Sequence, residues 1–341
     1  MIRIGIAGIG FMGRIHFLGA RKLHGSTVVA VCSRDRAKLA GDWTNTRGNF
    51  GPPPGRVDLG ACKRYERFEE MIADPDIDLV DICTPTHLHP EMAIAALEAG
   101  KHVLVEKAIA LTTADADAMV AAATKAGRLL MVAHVLPFFP EFRYLDEAIR
   151  AGTFGKLLGG HFTRVISRPD WSSDIGDASK TGGPAVDLHI HDTHFIGLIA
   201  GVPARVQSSG LVAADGSVEY LTTQYLYDDG PAISCSSGAI AAAGRSFLHG
   251  FEVYLEKATL AHNSSGLPLT VYSADGTSAV PDLGGSGDPV DSFTAELQTA
   301  VDGVRSGRTP RLLSGELARD ALVLCHRECE SVKTGKAVRV K

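Results

Sequence analysis

The fold is decided by the start of the chain, which reads Ile2-Arg3-Ile4-Gly5-Ile6-Ala7-Gly8-Ile9-Gly10-Phe11-Met12-Gly13-Arg14-Ile15-His16. A β-branched run predicts a buried strand, the pattern G-x-G-x-x-G follows at once, and the residues after it predict a helix. In this setting Gly8 permits the tight turn, Gly10 lets a pyrophosphate approach the backbone, and Gly13 lets the helix pack against the strand. Free N–H groups at the start of the helix would bind that pyrophosphate. The stretch therefore predicts a dinucleotide site that includes Phe11 and Met12.

Length and composition limit the classes of protein that this chain represents. Its 341 residues suffice for two domains, and 45% hydrophobic with 21% charged residues is typical of a globular protein. The net charge of −5 offers no basic field for nucleic acid, and no apolar run approaches the roughly 20 residues of a membrane helix. Met1 leads directly into the first strand, and the six cysteines form no C-x-x-C pair. We therefore expect a cytoplasmic protein without nucleic-acid or membrane partners.

Strands and helices alternate along residues 1–134, which we assign to a Rossmann dinucleotide-binding domain. After the first strand, apolar runs predict strands over 27–32, 78–83, 101–105 and 129–134, with helices between them. This alternation is typical of an α/β domain with a doubly wound parallel sheet. Ligands bind at the carboxyl ends of such strands. The residues expected along one crevice are therefore Gly8, Ser33, Thr84, Glu106, Lys107 and His134.

The residues after the second strand favour NADP(H) over NAD(H). A dinucleotide fold normally has an acidic residue about 20 positions after the glycines, where it binds the adenosine ribose. Here that position is Ser33, and Arg34 follows it. A small hydroxyl beside an arginine suits a 2′-phosphate, which a guanidinium binds in bidentate fashion. Two alternatives stay open: Ser33 or Asp35 caps the next helix, or Asp35 binds the ribose diol.

The segment 43–61 interrupts the alternation. It contains Gly51-Pro52-Pro53-Pro54-Gly55, which excludes a helix or a central strand. Connections from a helix to the next strand lie away from the ligand-binding end of a parallel sheet. We therefore expect an exposed surface loop or a subunit contact that has no part in the site.

The second half of the chain has a different pattern. Extended segments separated by turns follow one another between residues 156 and 273, with a hairpin signal at Asp228-Asp229-Gly230. Consecutive strands without helices between them predict a mostly antiparallel sheet, and helices near 288–306 and 314–334 close the chain. We assign residues 135–341 to an α+β domain for substrate binding and oligomerisation. Because a large exposed sheet face is usually covered, we expect a homodimer or homotetramer through this sheet.

One predicted helix within this half contains the second polar cluster. It reads Gly182-Gly183-Pro184-Ala185-Val186-Asp187-Leu188-His189-Ile190-His191-Asp192-Thr193-His194, with a glycine pair before a proline as a helix start. Asp187, His191 and His194 recur at i, i+4 and i+7 and so share one face. A carboxylate one turn from an imidazole fixes its tautomer and stabilises its charged form, as a general base requires.

Two other interpretations of this helix stay open. Its polar side chains could be satisfied at a domain seam, or the string from His189 to His194 could bind a metal. The string is close to the H-x-H-x-D-H pattern of metallo-hydrolases, but its aspartate falls one position too early. Those metal ligands also come from a loop rather than a helix. We therefore predict no metal.

Together these motifs resemble the Gfo/Idh/MocA family of NAD(P)-dependent sugar and cyclitol oxidoreductases. The resemblance spans nearly the whole chain and depends on the glycine pattern, Thr84-Pro85-Thr86-His87-Leu88-His89-Pro90, Gly100-Lys101-His102-Val103-Leu104-Val105-Glu106-Lys107, and Gly182-Gly183 with Asp187 and His191. The sequence departs from the family at Ala108, where the E-K-P motif has its proline, and at Val135-Leu136-Pro137, where many relatives have an arginine.

The resemblance implies a catalytic set of Lys107, Asp187 and His191. The E-K-P lysine of the family reaches the substrate and the nicotinamide ribose, and the D-x-x-x-H pair is the acid/base. The cofactor-binding residues expected from motif and resemblance are Gly8, Gly10, Phe11, Met12, Gly13, Ser33, Arg34, Thr84, Pro85, His87, His89, Glu106 and Lys107. The residues expected at the substrate are Lys107, His134, Asp187, His191 and His194, with His161, Arg164, Arg168, Asp170 and Trp171 as further candidates.

The expected reaction transfers a hydride between the nicotinamide and a secondary alcohol or ketone of a sugar, sugar derivative or cyclitol. His191 would take the hydroxyl proton and Lys107 would polarise the oxygen. Three other functions stay open. They are a non-redox glycoside-processing enzyme that uses bound NAD(P) transiently, a catalytically silent NADP-binding regulator, and a metal hydrolase.

Overall fold

A computed structural model describes residues 1–168 and 177–340, which fold into two compact units. The first unit consists of Met1–Phe138 and Gly285–Arg319, and the second of the described residues in Phe139–Gly284 and Asp320–Lys341. The sequence predicts one crossing between domains, after residue 134. The chain instead crosses three times, because the segment 285–319 returns to the first unit.

The first unit is built on a parallel sheet. Among the described residues its strands are β1 (Ile2–Ala7), β2 (Ser26–Cys32), β3 (Lys63–Tyr65), β4 (Leu79–Ile82), β5 (His102–Glu106) and β6 (Leu130–Ala133). They lie in the order β3-β2-β1-β4-β5-β6, and all neighbours are parallel. This order confirms the predicted doubly wound sheet. β3 was not predicted, because Lys63-Arg64-Tyr65 contains no apolar run.

The second unit is built on a mostly antiparallel sheet, as predicted. Its strands within the described ranges are β7 (Leu157–Ser167), β8 (Arg205–Val212), β9 (Val218–Leu226), β10 (Ala232–Ala241), β11 (Leu248–Leu255), β12 (Ala258–Asn263), β13 (Leu267–Ser273), β14 (Ser278–Ala279) and β15 (Val338–Arg339). Their order is β14-β13-β12-β11-β7-β10-β9-β8-β15. β7 and β10 pair in parallel, and the other neighbours are antiparallel.

Helices connect these strands and close the chain. The α-helices of the described chain are α1 (Phe11–Ala20), α2 (Arg36–Leu39), α3 (Phe68–Ile72), α4 (His89–Glu98), α5 (Thr113–Ala126), α6 (Pro140–Ala151), α7 (Ala178–Thr181), α8 (Pro184–Asp187), α9 (Ile190–Ala200), α10 (Asp291–Ser306) and α11 (Gly315–Thr334). The core of the first unit joins apolar side chains of β1, β2, β4, β5 and β6 with Leu297, Ala300 and Val301 of α10. Burial of this apolar face explains why α10 returns to the first unit.

The predicted single helix over 182–194 is wrong, since two short helices occupy this stretch. α8 ends at Asp187 and α9 begins at Ile190. The backbone N–H of His189 donates to the Pro184 carbonyl at 3.0 Å, one residue beyond the usual helical partner. Leu188 and His189 keep helical dihedral angles, with φ of −97° and −66°. Asp187 and His191 therefore follow one helical path across a break in the hydrogen-bond ladder.

The expectation of an exposed loop over 43–61 is also wrong in part. The ring of Trp43 is fully buried and packs edge-to-face on Phe17 of α1, with ring centroids 4.9 Å apart. Thr46 and Leu59 are buried as well. The ring of Phe50 in the same segment lies 4.7 Å from that of Phe11, the first residue of this helix, so part of the segment reaches the ligand-binding end of the first unit.

Several large apolar side chains remain exposed on the strands of the second sheet. They are Leu158, Leu211, Val212, Ile240, Tyr254 and Tyr272. The expected self-association through this sheet stays a prediction. None of the helices in residues 1–168 and 177–340 combines the length and apolar character of a membrane span. The substrate candidates Asp170 and Trp171 lie outside the described residues.

Candidate active site

The glycine turn has a backbone that only glycine allows at two of its three positions. Gly8 has φ of +93°, and a Cβ there would lie 2.7 Å from the Cys83 carbonyl oxygen. A Cβ on Gly13 would lie 2.0 Å from the Gly8 oxygen, so the helix packs directly on the strand end. A Cβ on Gly10 would meet nothing within 4 Å. The open side of the turn at Gly10 is therefore where a ligand can approach the backbone.

The start of α1 fits a pyrophosphate. Gly10 is its N-cap and provides no side-chain acceptor, so the first N–H groups of the helix keep their capacity to bind an anion. The first turn contains no acidic residue that would repel one. The helix dipole adds positive potential at this end. Gly8, Gly10, Phe11, Met12 and Gly13 therefore form a backbone that fits the diphosphate of a dinucleotide.

The residues at the end of β2 match one of the alternatives drawn from the sequence. The Asp35 carboxylate caps α2, where Oδ1 accepts from the N–H groups of Ala37 and Lys38 at 2.9 and 3.4 Å. Ser33 Oγ accepts from the Asp35 N–H at 3.2 Å. Arg34 is exposed beside them. The Asp35 carboxylate therefore already has hydrogen-bond partners within its own turn.

A buried histidine joins the turns that follow β4 and β5. The two ring nitrogens of His89 lie 2.8 Å from the carbonyl oxygens of Thr84 and Ala108. Pro85 and His87 are exposed in the first of these turns. Because burial lowers the pKa of His89, its neutral ring donates a hydrogen bond to one of these carbonyls and only contacts the other, and a direct contact to a cofactor, as the resemblance implies, would compete with this arrangement. The geometry instead gives His89 the role of holding the two turns together.

A second buried cluster, which we call the His16 cluster, lies beneath Lys107 and consists of His16, Asp81, Cys83 and Glu106. His16 Nδ1 lies 2.9 Å from Asp81 Oδ2, and its Nε2 lies 3.0 Å from Glu106 Oε1. The second contact has an ion-pair distance but not hydrogen-bond geometry. Glu106 Oε2 accepts from the Lys107 N–H at 3.0 Å. The cluster thus fixes the backbone of Lys107, whose side chain is half-buried.

Charge within the His16 cluster is governed by burial and by the carboxylates. Burial opposes the charged imidazole of His16, but the Asp81 carboxylate outweighs it and raises the pKa of His16 well above the usual value. Burial raises the pKa of the Cys83 thiol and, well above its usual range, the pKa of Glu296. His16 is therefore the cation of the cluster and Cys83 is a neutral thiol, while Glu296, a buried residue of α10 near the cluster, is a neutral acid.

Sequence reasoning missed the His16 cluster, although one signal was available. Asp81 is a carboxylate in the middle of the buried strand Leu79-Val80-Asp81-Ile82, which requires a partner. His16 follows Gly13 by one helical turn. In the described part of the chain, the one group of three potential metal ligands within 4.8 Å is His16, Asp81 and Cys83. The string from His189 to His194 does not form such a group there.

In the second unit, exposure separates the histidines of the predicted active-site string. Asp187 and His191 are half-buried, whereas His189 and His194 are fully buried. His189 points to a buried ion pair, with Nε2 2.8 Å from Glu328 Oε2 of α11. The Tyr225 hydroxyl lies 3.4 Å from the same nitrogen. Within this string, His191 is the imidazole that a ligand can reach beside a carboxylate.

Arg164 is held by an ion pair rather than free for a substrate. Its Nε lies 2.5 Å from Asp192 Oδ2, and both side chains are buried. Arg168 pairs with Glu219. His161 is exposed, and its Nδ1 lies 2.9 Å from Ser234 Oγ. The structure thus gives Arg164 and Arg168 protein partners, while it places His134 and His194 in the buried interior of their respective units.

Replacing Glu328 with glutamine should change how stability depends on pH. Burial opposes charge on His189, but Glu328 outweighs it and raises the pKa of His189 above its usual 6.5. A histidine whose pKa is higher in the folded than in the unfolded protein contributes stability. That contribution is fully present below the pKa of the unfolded state and is lost as the pH rises through the pKa of the folded state. The stability difference between wild type and Glu328→Gln should therefore be largest near about pH 6 and shrink towards about pH 9.

Urea unfolding midpoints of the two proteins across that pH range would measure this difference. Glu330→Gln is the matched control, because Glu330 lies on the same helix and makes an exposed ion pair with Arg327. The control should change the midpoint little at any pH. A Glu328→Gln difference that stays constant with pH would contradict a charged His189–Glu328 pair.

Family comparisons cover both units. A model described as an oxidoreductase family with an NAD-binding Rossmann fold matches residues 2–134. A model described as the GFO/IDH/MocA C-terminal domain matches residues 142–261. Between them the two models match most of the chain.

Relatives are similar to the chain along its whole length. Myo-inositol 2-dehydrogenase of Thermotoga maritima is 27% identical over 358 residues, which cover 100% of this chain and 99% of that protein. D-xylose 1-dehydrogenase (NADP(+)) 2 of Haloferax volcanii is 26% identical and covers 99% of this chain and 98% of its own. The crystal structure of a probable dehydrogenase from Thermotoga maritima superimposes with a TM-score of 0.81 at 25% identity, over 99% of both chains. The chain belongs to the Gfo/Idh/MocA family of oxidoreductases.

Proposed function

We propose that the protein is an NAD(P)-dependent dehydrogenase that interconverts a secondary alcohol and a ketone on a sugar, a sugar derivative or a cyclitol. One observation supports this function above the others: in a string of three histidines, His191 alone is accessible, and Asp187 precedes it by one turn. An accessible imidazole one helical turn from a carboxylate is suited to proton transfer at a substrate hydroxyl. The names of the relatives supply the class of substrate.

The bound nicotinamide cofactor would supply the hydride acceptor or donor. In the first unit, the glycine turn binds its diphosphate, and Lys107 Nζ donates a hydrogen bond to the substrate oxygen as negative charge develops there. In the second unit, a ring nitrogen of His191 takes the hydroxyl proton during oxidation and returns it during reduction. Asp187 orients that ring. Glu106 and His16 hold the backbone from which the Lys107 side chain extends.

We further propose that NADP(H) is preferred over NAD(H). The Asp35 carboxylate caps α2 and accepts two N–H groups, which leaves the exposed Arg34 as the charged group at the ribose position. The family includes NAD-binding models and a relative named for NADP(+), so the family alone does not select the cofactor.

Replacing Arg34 with alanine should weaken NADPH binding and leave NADH binding unchanged. A hydrogen-bonded charge pair to a phosphate contributes about 1.5–3 kcal/mol, so we expect a loss of roughly tenfold to 100-fold in NADPH affinity. Titration by protein fluorescence measures both affinities. Arg36→Ala is the matched control, because Arg36 pairs with Glu66 at 2.9 Å. Tighter binding of NADH by the wild type would contradict the proposed preference.

The proposed function is tested by assaying purified protein with NADP+ or NAD+ against a panel of cyclitols, aldoses and sugar derivatives. Formation of reduced cofactor with at least one member, lost in Lys107→Met, is the expected result. Lys101→Met is not a useful control, because Lys101 is buried and donates to two backbone carbonyls. The exposed Lys125 on α5 provides the control instead. Release of a leaving group without cofactor reduction would favour a non-redox reaction.

A further inference from the structure

Residues 43–55 form a closed loop on the surface of the first unit. The Trp43 N–H donates to the Gly55 carbonyl at 3.1 Å, and the Val57 N–H donates to the Gly41 carbonyl at 2.8 Å. Asp42 and Arg56 form an antiparallel bridge at the same neck. A compact surface loop whose ends meet in this way is an Ω-loop, a type that is frequently functional.

The Ω-loop is fastened to the helix that follows the glycine turn. Trp43 is fully buried against Phe17, and its Nε1 donates to the Lys38 carbonyl at 2.8 Å. Arg14, which is buried on α1, donates from Nη1 to the Pro52 carbonyl at 2.6 Å. Anchors at both ends of the loop fix its position relative to α1.

The tip of the Ω-loop covers the side chain of Phe11, the first residue of α1. The rings of Phe50 and Phe11 pack edge-to-face with centroids 4.7 Å apart. Phe50 also stacks on Phe293 of α10, at 5.2 Å and an interplanar angle of 10°. Gly48 passes so close that a Cβ there would lie 1.9 Å from the Phe11 ring. The tip of the Ω-loop therefore packs on Phe11, and Phe293 of α10 supports that tip from the other side through Phe50.

We propose that the Ω-loop is part of the dinucleotide site, with Phe50 as a positioning residue that holds Phe11 and thereby the N–H groups of the glycine turn. Phe11 is flanked by Gly10, which lacks a side chain to order the turn. The turn would otherwise lose conformational freedom when the diphosphate binds. A Phe11 ring held in advance by Phe50, which is itself stacked on Phe293, lowers that entropic cost, and the lower cost appears as tighter binding. This inference rests on the proposed dinucleotide-binding function and assigns it a segment outside the glycine motif.

The test compares two nucleotides in the Phe50→Ala and Phe50→Tyr variants. NADPH has the diphosphate that the glycine turn would bind, whereas adenosine 2′-phosphate contains only the adenosine end. We expect Phe50→Ala to weaken NADPH binding by about tenfold, which is the size of effect expected from the loss of an aromatic ring pair. The same variant should bind adenosine 2′-phosphate as the wild type does. Phe50→Tyr keeps the ring and should bind NADPH like the wild type.

Arg56→Ala is the control for general damage to the loop, because Arg56 is an exposed neck residue that pairs with Asp42. It should leave both affinities unchanged. Equal loss of both nucleotides in Phe50→Ala indicates a merely structural role and overturns the inference, as does wild-type NADPH affinity in that variant. Phe50→Leu, which fills more of the same space, provides the measurement if the alanine variant does not fold. Dinucleotide binding by the wild-type protein is measured before any variant is made. If the wild type binds no dinucleotide, the proposed function itself is contradicted.

Discussion

Replacing His191 with alanine is expected to lower turnover by about 10²- to 10⁴-fold, the range that a general acid/base contributes. His191 is the half-buried imidazole in a string whose other histidines, His189 and His194, are buried. It is therefore the ring that can exchange a proton with a substrate hydroxyl. Because we assign the diphosphate of the cofactor to the backbone of the glycine turn, cofactor affinity should stay near the wild-type value.

Steady-state kinetics with a substrate from the cyclitol and sugar panel would measure this loss, together with the cofactor affinity by fluorescence. His24→Ala is the matched control, since His24 is exposed and its backbone contacts Gln298 of the first unit. The control should keep full turnover. A His191→Ala protein that retains wild-type turnover would remove His191 from the acid/base role, whatever its cofactor affinity.

Two alanine substitutions in the glycine turn should separate folding from binding. Gly13→Ala should lower the stability of the fold, whereas Gly10→Ala should impair cofactor binding alone. Gly13→Ala places a Cβ 2.0 Å from the Gly8 oxygen, a backbone atom that cannot move without shifting the strand end. We expect a loss of stability on the order of 3 kcal/mol, at the upper end of single-substitution effects. Gly10→Ala meets nothing within 4 Å and has φ of −97°, which alanine adopts readily. It should leave the stability of the ligand-free protein unchanged.

The binding of the dinucleotide separates these variants further. A ligand at about 100 times its Kd stabilises a protein by about 2.7 kcal/mol, and thermal or urea unfolding reports that gain. We expect the wild type to show it and Gly10→Ala to lose it, because the added methyl occupies the space where the diphosphate approaches. Gly244→Ala is the control, because Gly244 is exposed and a Cβ there would meet no neighbour within 4 Å. Gly127→Ala cannot serve, since Gly127 has φ of +61°. If the cofactor stabilised Gly10→Ala as much as the wild type, the assignment of the diphosphate to this turn would be contradicted.

Features that depend on neighbouring residues were predictable from the sequence. The strand, the three glycines and the helix are contiguous, so their spacing alone predicts the turn that the structure shows at Gly8 and Gly13. The hairpin between β9 and β10 and the alternation of the first sheet are equally local. In the turn and in the hairpin, the interaction that forms the element lies within a few residues of it, and the alternation of strands and helices is a local pattern although the parallel strands themselves pair at long range.

Features that depend on distant residues were not predictable in this way. Phe50 was expected to be exposed because its segment is rich in glycine and proline, yet its partners include Phe293 of α10. The break between α8 and α9 accompanies the burial of His189 against Glu328 of α11, and no local pattern announces that pair. Periodicity identified a polar string, but only tertiary contacts show that His191 is its accessible member.

The most direct test of the central claim follows the hydrogen that leaves the substrate. The protein is incubated with oxidised cofactor and a substrate deuterated at the carbinol carbon, and the cofactor is then analysed by mass spectrometry and NMR. The proposed function predicts one deuterium at C4 of the reduced nicotinamide, and at least about 10²-fold less of it from the His191→Ala protein over the same time. Turnover of the substrate with unlabelled, oxidised cofactor at the end would contradict a dehydrogenase and favour a reaction that only borrows the hydride.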